Sequence, residues 1–379
     1  MTEEAEAQAT PRDTLDLLGH EAAERALLDA WNAGRMPHAW LITGPRGIGK
    51  ATFAYRVARF VLSQQDGDSA APGLFGDDLP PPEAASLAID PDHPVVARIS
   101  AGGHADLRVL ETNMPHPDHG RPARQILVGH VRKAVQFTTL TAAEQGWRVI
   151  LVDPADELNA NAQNAILKSL EEPPPKVLYL LVCNAPGRLL PTIRSRCRRL
   201  SLEPLSDEHF DLLLARYCPD LPDEDRHALA RLAGGSIGDA LALLGSGGLD
   251  LYRTVVKLLG TLEHPDIQGI HALGDTVSRA GQQGNDAFAT VRDIMGQWLA
   301  RLVMTGARAE KPAEIVPGEG RIAELFLARA PLEQWIEVWE KVTGLMARAD
   351  GANLDRKQTI VSAFLTMAAM LKDGRATAR

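Results

Sequence analysis

The 379 residues include only three cysteines, Cys183, Cys197 and Cys218, dispersed along the chain and without a CxxC pair. That excludes a disulfide framework and a four-ligand zinc site, and it suits a reducing compartment. No apolar run reaches the roughly 18–20 residues needed to span a bilayer. The opening stretch MTEEAEAQATPRD is acidic and polar, unlike a secretory signal or a basic presequence, so a cytoplasmic location is expected. Positive charge is also in deficit, with a formal net charge of −9. Phosphate contacts dominate nucleic-acid affinity, so strong autonomous DNA binding is not expected, although one local basic surface could still act within an assembly.

What remains is an ordinary globular composition, 45% hydrophobic and 23% charged, in a chain long enough for two or three domains. After an acidic tail at 1–12, apolar spacing predicts a helix over Leu15–Ala33 and a strand over His38–Thr43. A glycine-rich turn follows, then a helix over Thr52–Leu62. Residues 63–92 are rich in Pro, Gly and Asp and read as a mobile insert. Further strands are predicted at Asp106–Glu111, Arg148–Val152 and Lys176–Cys183, alternating with helices at Val128–Phe137 and Asn161–Glu171. Such alternation implies a mostly parallel sheet covered on both faces. Strand signals cease at 206. The expected organisation is an α/β unit over 13–205, a small helical lid over 206–247 and a helical unit over 248–379, with helices at Leu332–Ala349 and Thr359–Leu371. His116 and His119 share a loop at 113–124 but lack nearby cysteines or paired carboxylates, so no metal site is expected.

The turn GPRGIGKAT at 44–52 places Gly44, Gly49 and Lys50 as a phosphate-binding loop requires, with Gly47 between them. Backbone N–H groups would face phosphate oxygens, and Lys50 would supply a point charge. One part is missing. A working loop sets a Ser or Thr hydroxyl on magnesium directly after the lysine, and here that residue is Ala51. Thr52 comes one position late, about 100° further round a helix. The second phosphate motif is the apolar run RVILVD ending in Asp153. AAA+ ATPases normally continue with a glutamate that activates water, but Pro154 stands there and can neither take a proton nor orient one. Asp156 and Glu157 could substitute only if the strand end were rebuilt.

Five arginines fall between Arg188 and Arg199. A solvated basic surface is one reading. The other is an arginine offered in trans to charge developing on a neighbour's nucleotide. ADELNANAQNAILKSLEEPP at 155–174, followed by LLPTIRSRC at 189–197, resembles the bacterial clamp-loader family of AAA+ proteins. The resemblance covers roughly residues 13–245. It implies an AAA+ P-loop domain with a parallel sheet, an all-α lid and an all-α C-terminal collar that holds five subunits in a ring.

By that resemblance Ser195, Arg196 and Cys197 form the interface motif, with Arg196 the finger acting on the adjacent subunit's ATP. Asn184 matches the position that senses γ-phosphate, and Gly238, in GGSIGDAL, stands where hydrolysing members carry a second sensor arginine. HAWLITGPRGIGKAT and HPVVARISAGGHADLRVLE are most similar to the family's non-motor subunits. The implied partners are delta and tau/gamma subunits, with the sliding clamp and primer-template DNA met through the hetero-oligomer and no membrane. No cofactor is required by this reading. Weak ATP or ADP binding at the altered loop stays open, and zinc is not expected because 63–92 lacks the four cysteines many members carry there. The rivals are a competent tau/gamma-type ATPase, a pure interaction scaffold and an unrelated AAA+ protein.

Overall fold

The computed structural model describes residues 10–64, 83–116, 120, 122–139, 146–280, 287–312, 314–352 and 354–377. They form two compact units, one reaching to Phe210 and including Gly235–Gly238, the other comprising Asp211–Gly234 and the rest of the chain from Asp239. The helices expected as a lid are shared between the two.

The first unit contains α1 (Glu21–Asn32), β1 (Ala39–Thr43), α2 (Lys50–Ser63), α3 (Pro94–Ser100), β2 (Leu107–Glu111), α4 (Val128–Thr139), β3 (Arg148–Asp153), α5 (Ala160–Glu171), β4 (Val177–Cys183), α6 (Pro191–Arg194) and β5 (Arg198–Ser201). The strands make one all-parallel sheet in the order β2-β3-β4-β1-β5. This is a P-loop sheet of AAA+ type, with β4 inserted between the loop-bearing β1 and the acid-ended β3. The period of two in a strand divides side chains between the faces. Trp40, Ile42, Val149, Leu151, Leu178 and Leu180 pack with α1, α2 and α3, while Leu41, Ile150, Val152, Tyr179 and Leu181 pack with α4 and α5. Burial on both faces is why β1, β3 and β4 read as unbroken apolar runs.

Several elements differ from the sequence expectation. The first helix begins at Glu21, not Leu15. Residues before it run as a strap that turns once on itself, the Asp13 and Thr14 amides donating to Thr10 O, and is then tied to α2: Arg59, buried, donates to the carbonyls of Arg12 and Thr14, and Arg56 donates to that of Leu15. Helix α3 was not foreseen, although Pro94 opens it and His93 Nδ1 accepts from the Val95 amide. Nor was β5, an edge strand in which only Leu200 points inward. Its charged residues hide the apolar pattern while protecting the edge.

The 63–92 stretch is anchored at its far end. Asn32 exchanges two hydrogen bonds with the Ala84 backbone, and Leu87 is fully buried. Its residues 65–82 lie outside the described residues, as does His119.

The second unit comprises most of α7 (Asp207–Tyr217), α8 (Asp223–Ala233), most of α9 (Ile237–Gly245), α10 (Gly248–Leu259), α11 (Ile267–Ala280), α12 (Ala287–Arg308), α13 (Glu319–Arg329), α14 (Leu332–Ala352) and α15 (Arg356–Thr377). One core joins α10 to α15, centred on Trp298, Phe326 and Trp335, with the last two rings stacked at 5.0 Å. Among the described residues, no helix is long and apolar enough to cross a membrane.

Candidate functional site

Strand β1 ends at Thr43, level with Cys183 of β4, and the phosphate-loop turn then carries the chain to Lys50. Glycine is required at Gly49, whose φ of 101° caps α2. The carbonyls of loop residues 45–48 are each engaged. The ammonium of Lys50 donates to Pro45 O, Ser236 Oγ to Arg46 O at 2.9 Å, the Gly238 amide to Gly47 O at 2.9 Å, and His20 Nε2 to Ile48 O at 2.7 Å. Lys50 is only 4% exposed, and Ala51 and Thr52 are half-buried on the first turn of α2. Burial holds the His20 imidazole below its ordinary pKa, which favours the neutral form in this contact.

Gly238, expected by resemblance to stand at a sensor-arginine position, packs tightly against the loop. A Cβ at that position would stand 2.8 Å from Gly47 Cα and 3.0 Å from its carbonyl oxygen, so the start of α9 rests backbone against backbone on the loop. No side chain fits between them without moving one of the two.

Across the sheet, Asp153 closes β3 directly opposite Glu111 of β2. Burial, aided by Glu111 and Asp156 and opposed by Lys50, raises its carboxyl to about 6. The candidates to replace the missing base are committed elsewhere. Asp156 accepts from the Asn184 amide at 2.8 Å, and its negative charge helps burial push the Cys183 thiol up to about 12. Glu157 pairs with Arg188 at 3.1 Å. Pro154 follows Asp153 through a cis peptide. Gly44, Gly47, Gly49, Lys50, Asp153 and Asn184 are thus gathered at the carboxyl ends of β1, β3 and β4, whereas Thr52 is carried onto α2.

The arginine run separates into different tasks. Arg198 lies over the Trp40 ring at 5.0 Å, and Arg199 Nε donates to Thr43 Oγ1 at 3.4 Å. Arg194 is exposed, and Arg196 is 34% exposed with its guanidinium 2.7 Å from Glu171 at the end of α5. Ser195 is exposed, but Cys197 points into the core beneath α6, and burial pushes its thiol up to about 12. Of the triplet expected at an interface, Ser195 and Arg196 face outward. Cys197 fixes the turn from inside.

Three contributors were not picked out from the sequence. His20 and Ser236 hold the loop but are isolated polar residues without a motif. Gln163, buried on α5, accepts from the Leu190 amide at 2.8 Å and donates to Arg188 O, locking the arginine-bearing segment to that helix. Among the described residues, no His, Cys, Asp and Glu side chains converge as metal ligands would.

Residues 84–206 match the family model described as DNA polymerase III, delta subunit. DNA polymerase III subunit delta' of Pseudomonas aeruginosa is 39% identical over 58% of this chain and 60% of its own. The delta' subunit of Escherichia coli is 31% identical over 62% of each chain. The gamma/tau subunit of Mycobacterium bovis is 29% identical over 68% of this chain and 41% of its own. The chain therefore spans less than two thirds of the length of each of these relatives. Over these partial spans the chain is similar to DNA polymerase III delta' and gamma/tau subunits, with the highest of these identities to a delta' subunit.

Proposed function

We propose that this chain is a non-motor, delta-prime-type subunit of a DNA polymerase III clamp loader, a bacterial cytoplasmic assembly. It joins delta and tau/gamma partners in a hetero-oligomeric, five-membered ring, supplies Arg196 to the ATP site of a tau/gamma neighbour, and helps place the sliding clamp on primed DNA. The observation that carries this reading is the phosphate loop closed by Gly238, with Lys50 turned onto its own loop. A motor subunit needs the opposite arrangement, a lysine and a sensor arginine free to meet phosphate oxygens. Ala51 and Pro154 support the same conclusion, since neither offers an oxygen to magnesium or water.

On this reading the fold retains the P-loop as structure, and no nucleotide or zinc is required. Any ATP or ADP that binds must first displace Lys50 from Pro45. Purified alone, the chain should hydrolyse no ATP and bind a fluorescent ADP analogue at most weakly. Turnover by the isolated chain that disappears with Lys50→Ala would instead make it a tau/gamma-type ATPase.

A further inference from the structure

Two segments set apart in the sequence, LEEPP at 170–174 and SRC at 195–197, meet in space. Glu171 is the last residue of α5, and its Oε1 lies 2.7 Å from Arg196 Nη2. The other terminal nitrogen, Nη1, donates to Thr192 O at 3.0 Å and lies 3.5 Å from Ser195 Oγ. The guanidinium is therefore gripped at both terminal nitrogens from within its own chain. A guanidinium has five N–H donors, so groups remain for a further acceptor.

Glu171 does not serve its own helix. A carboxylate in the last turn faces the negative end of the helix dipole and is disfavoured there, so its place is explained by what it meets across the gap. The surroundings are stiff. Gln163, eight residues earlier on α5, bonds to both Arg188 and Leu190, so α5 and the segment leading into α6 form one frame.

We infer that Glu171 is the positioning residue for Arg196. It holds the guanidinium in a set direction before a phosphate of the neighbouring subunit arrives. The alternative is a brake, in which the carboxylate competes with the phosphate for the arginine. Magnitude favours positioning. Arg196 and Glu171 are 34% and 47% exposed, and surface pairs of this kind contribute about 0–1 kcal/mol, too little to withhold an arginine from a phosphate dianion. The same pair is enough to restrict a side chain that otherwise samples many rotamers.

The inference rests on the reading of Arg196 as a finger in trans, and the test separates the two. A complex reconstituted with tau/gamma-type and delta-type subunits, clamp and primed DNA would carry wild type, Glu171→Ala, Glu171→Gln, Arg196→Ala or the Glu171→Ala, Arg196→Ala pair, with kcat and KM for ATP measured for each. Glu171→Ala should lower kcat about fivefold, equivalent to about 1 kcal/mol, with KM and assembly on gel filtration unchanged. Glu171→Gln, which keeps an oxygen acceptor for Nη2, should recover most of the rate. In the Arg196→Ala background, Glu171→Ala should change nothing more. A slow Arg196→Ala complex beside a Glu171→Ala complex at or above the wild-type rate would overturn the positioning role alone. So would a further loss in the double variant. An Arg196→Ala complex at full rate would overturn the finger reading and the positioning role with it.

Discussion

Substituting Gly238 by alanine tests how closely the start of α9 rests on the phosphate loop. In an exposed helix this change would be favourable by about 1 kcal/mol, since alanine restricts the unfolded backbone and suits the helix. Here the added Cβ would lie 2.8 Å from Gly47 Cα and 3.0 Å from Gly47 O, and neither is the movable end of a side chain. Relief requires the two backbones to separate, which weakens the 2.9 Å bond from the Gly238 amide to Gly47 O. Overpacking of this kind costs about 1–3 kcal/mol, and the lost hydrogen bond adds about 1 kcal/mol. The clash outweighs the helix gain, leaving a net loss of about 2 kcal/mol. In a unit of this size that lowers Tm by about 4–8 °C. Thermal unfolding followed by circular dichroism reads the shift, and hydrogen exchange at the amides of 46–49 locates it. A variant as stable as wild type or more stable, with unchanged exchange in the loop, would refute the close approach. Gly238→Arg should likewise fail to confer ATP hydrolysis on the isolated chain.

Other outcomes follow from the same geometry. The Asp153 carboxyl is raised from 3.8 to about 6, so its ionisation opposes folding; the stability it leaves intact below pH 4 is lost as pH rises through 6. Asp153→Asn should therefore stabilise the chain by on the order of 2 kcal/mol at pH 7.5 and by nothing near pH 4, read from urea melts at the two pH values. Buried Cys183 and Cys197, with thiols pushed up to about 12, should resist maleimide at pH 8, while half-buried Cys218 reacts first. Mass spectrometry should count one rapid label in the native chain and three after denaturation. Arg59→Met should free the strap before α1, because Arg12 O and Thr14 O lose their shared donor. Trypsin should then cut at Arg12 sooner than in wild type, with a stability loss of about 2–4 kcal/mol.

The central sheet was legible because β1, β3 and β4 are buried on both faces and carry continuous apolar runs that composition alone reveals. Edge strand β5 was not, since three of its four residues face solvent and two are arginines. The end of the strap, from Leu15 to the start of α1, was read as helix because its leucines suggested helical spacing, while the donors that pull the strap's carbonyls away, Arg56 and Arg59, lie some forty residues on. The phosphate-loop pattern and the departures at Ala51 and Pro154 were visible as residue types at fixed spacing, whereas Gly238 was singled out only through the family resemblance. The close packing at Gly238 could not be read. It is a backbone contact between residues 47 and 238, invisible to any local pattern. Glu171 was visible within its motif, but its task depends on a partner twenty-five positions later.

The most direct measurement is ATP turnover by the reconstituted loader with clamp and primed DNA, comparing Arg196→Ala with Lys50→Ala in this subunit. A silent subunit that serves its neighbour gives a loss of about a hundredfold or more at the served site with Arg196→Ala and wild-type turnover with Lys50→Ala. Loss with Lys50→Ala and full turnover with Arg196→Ala would mean that this chain fires its own ATP.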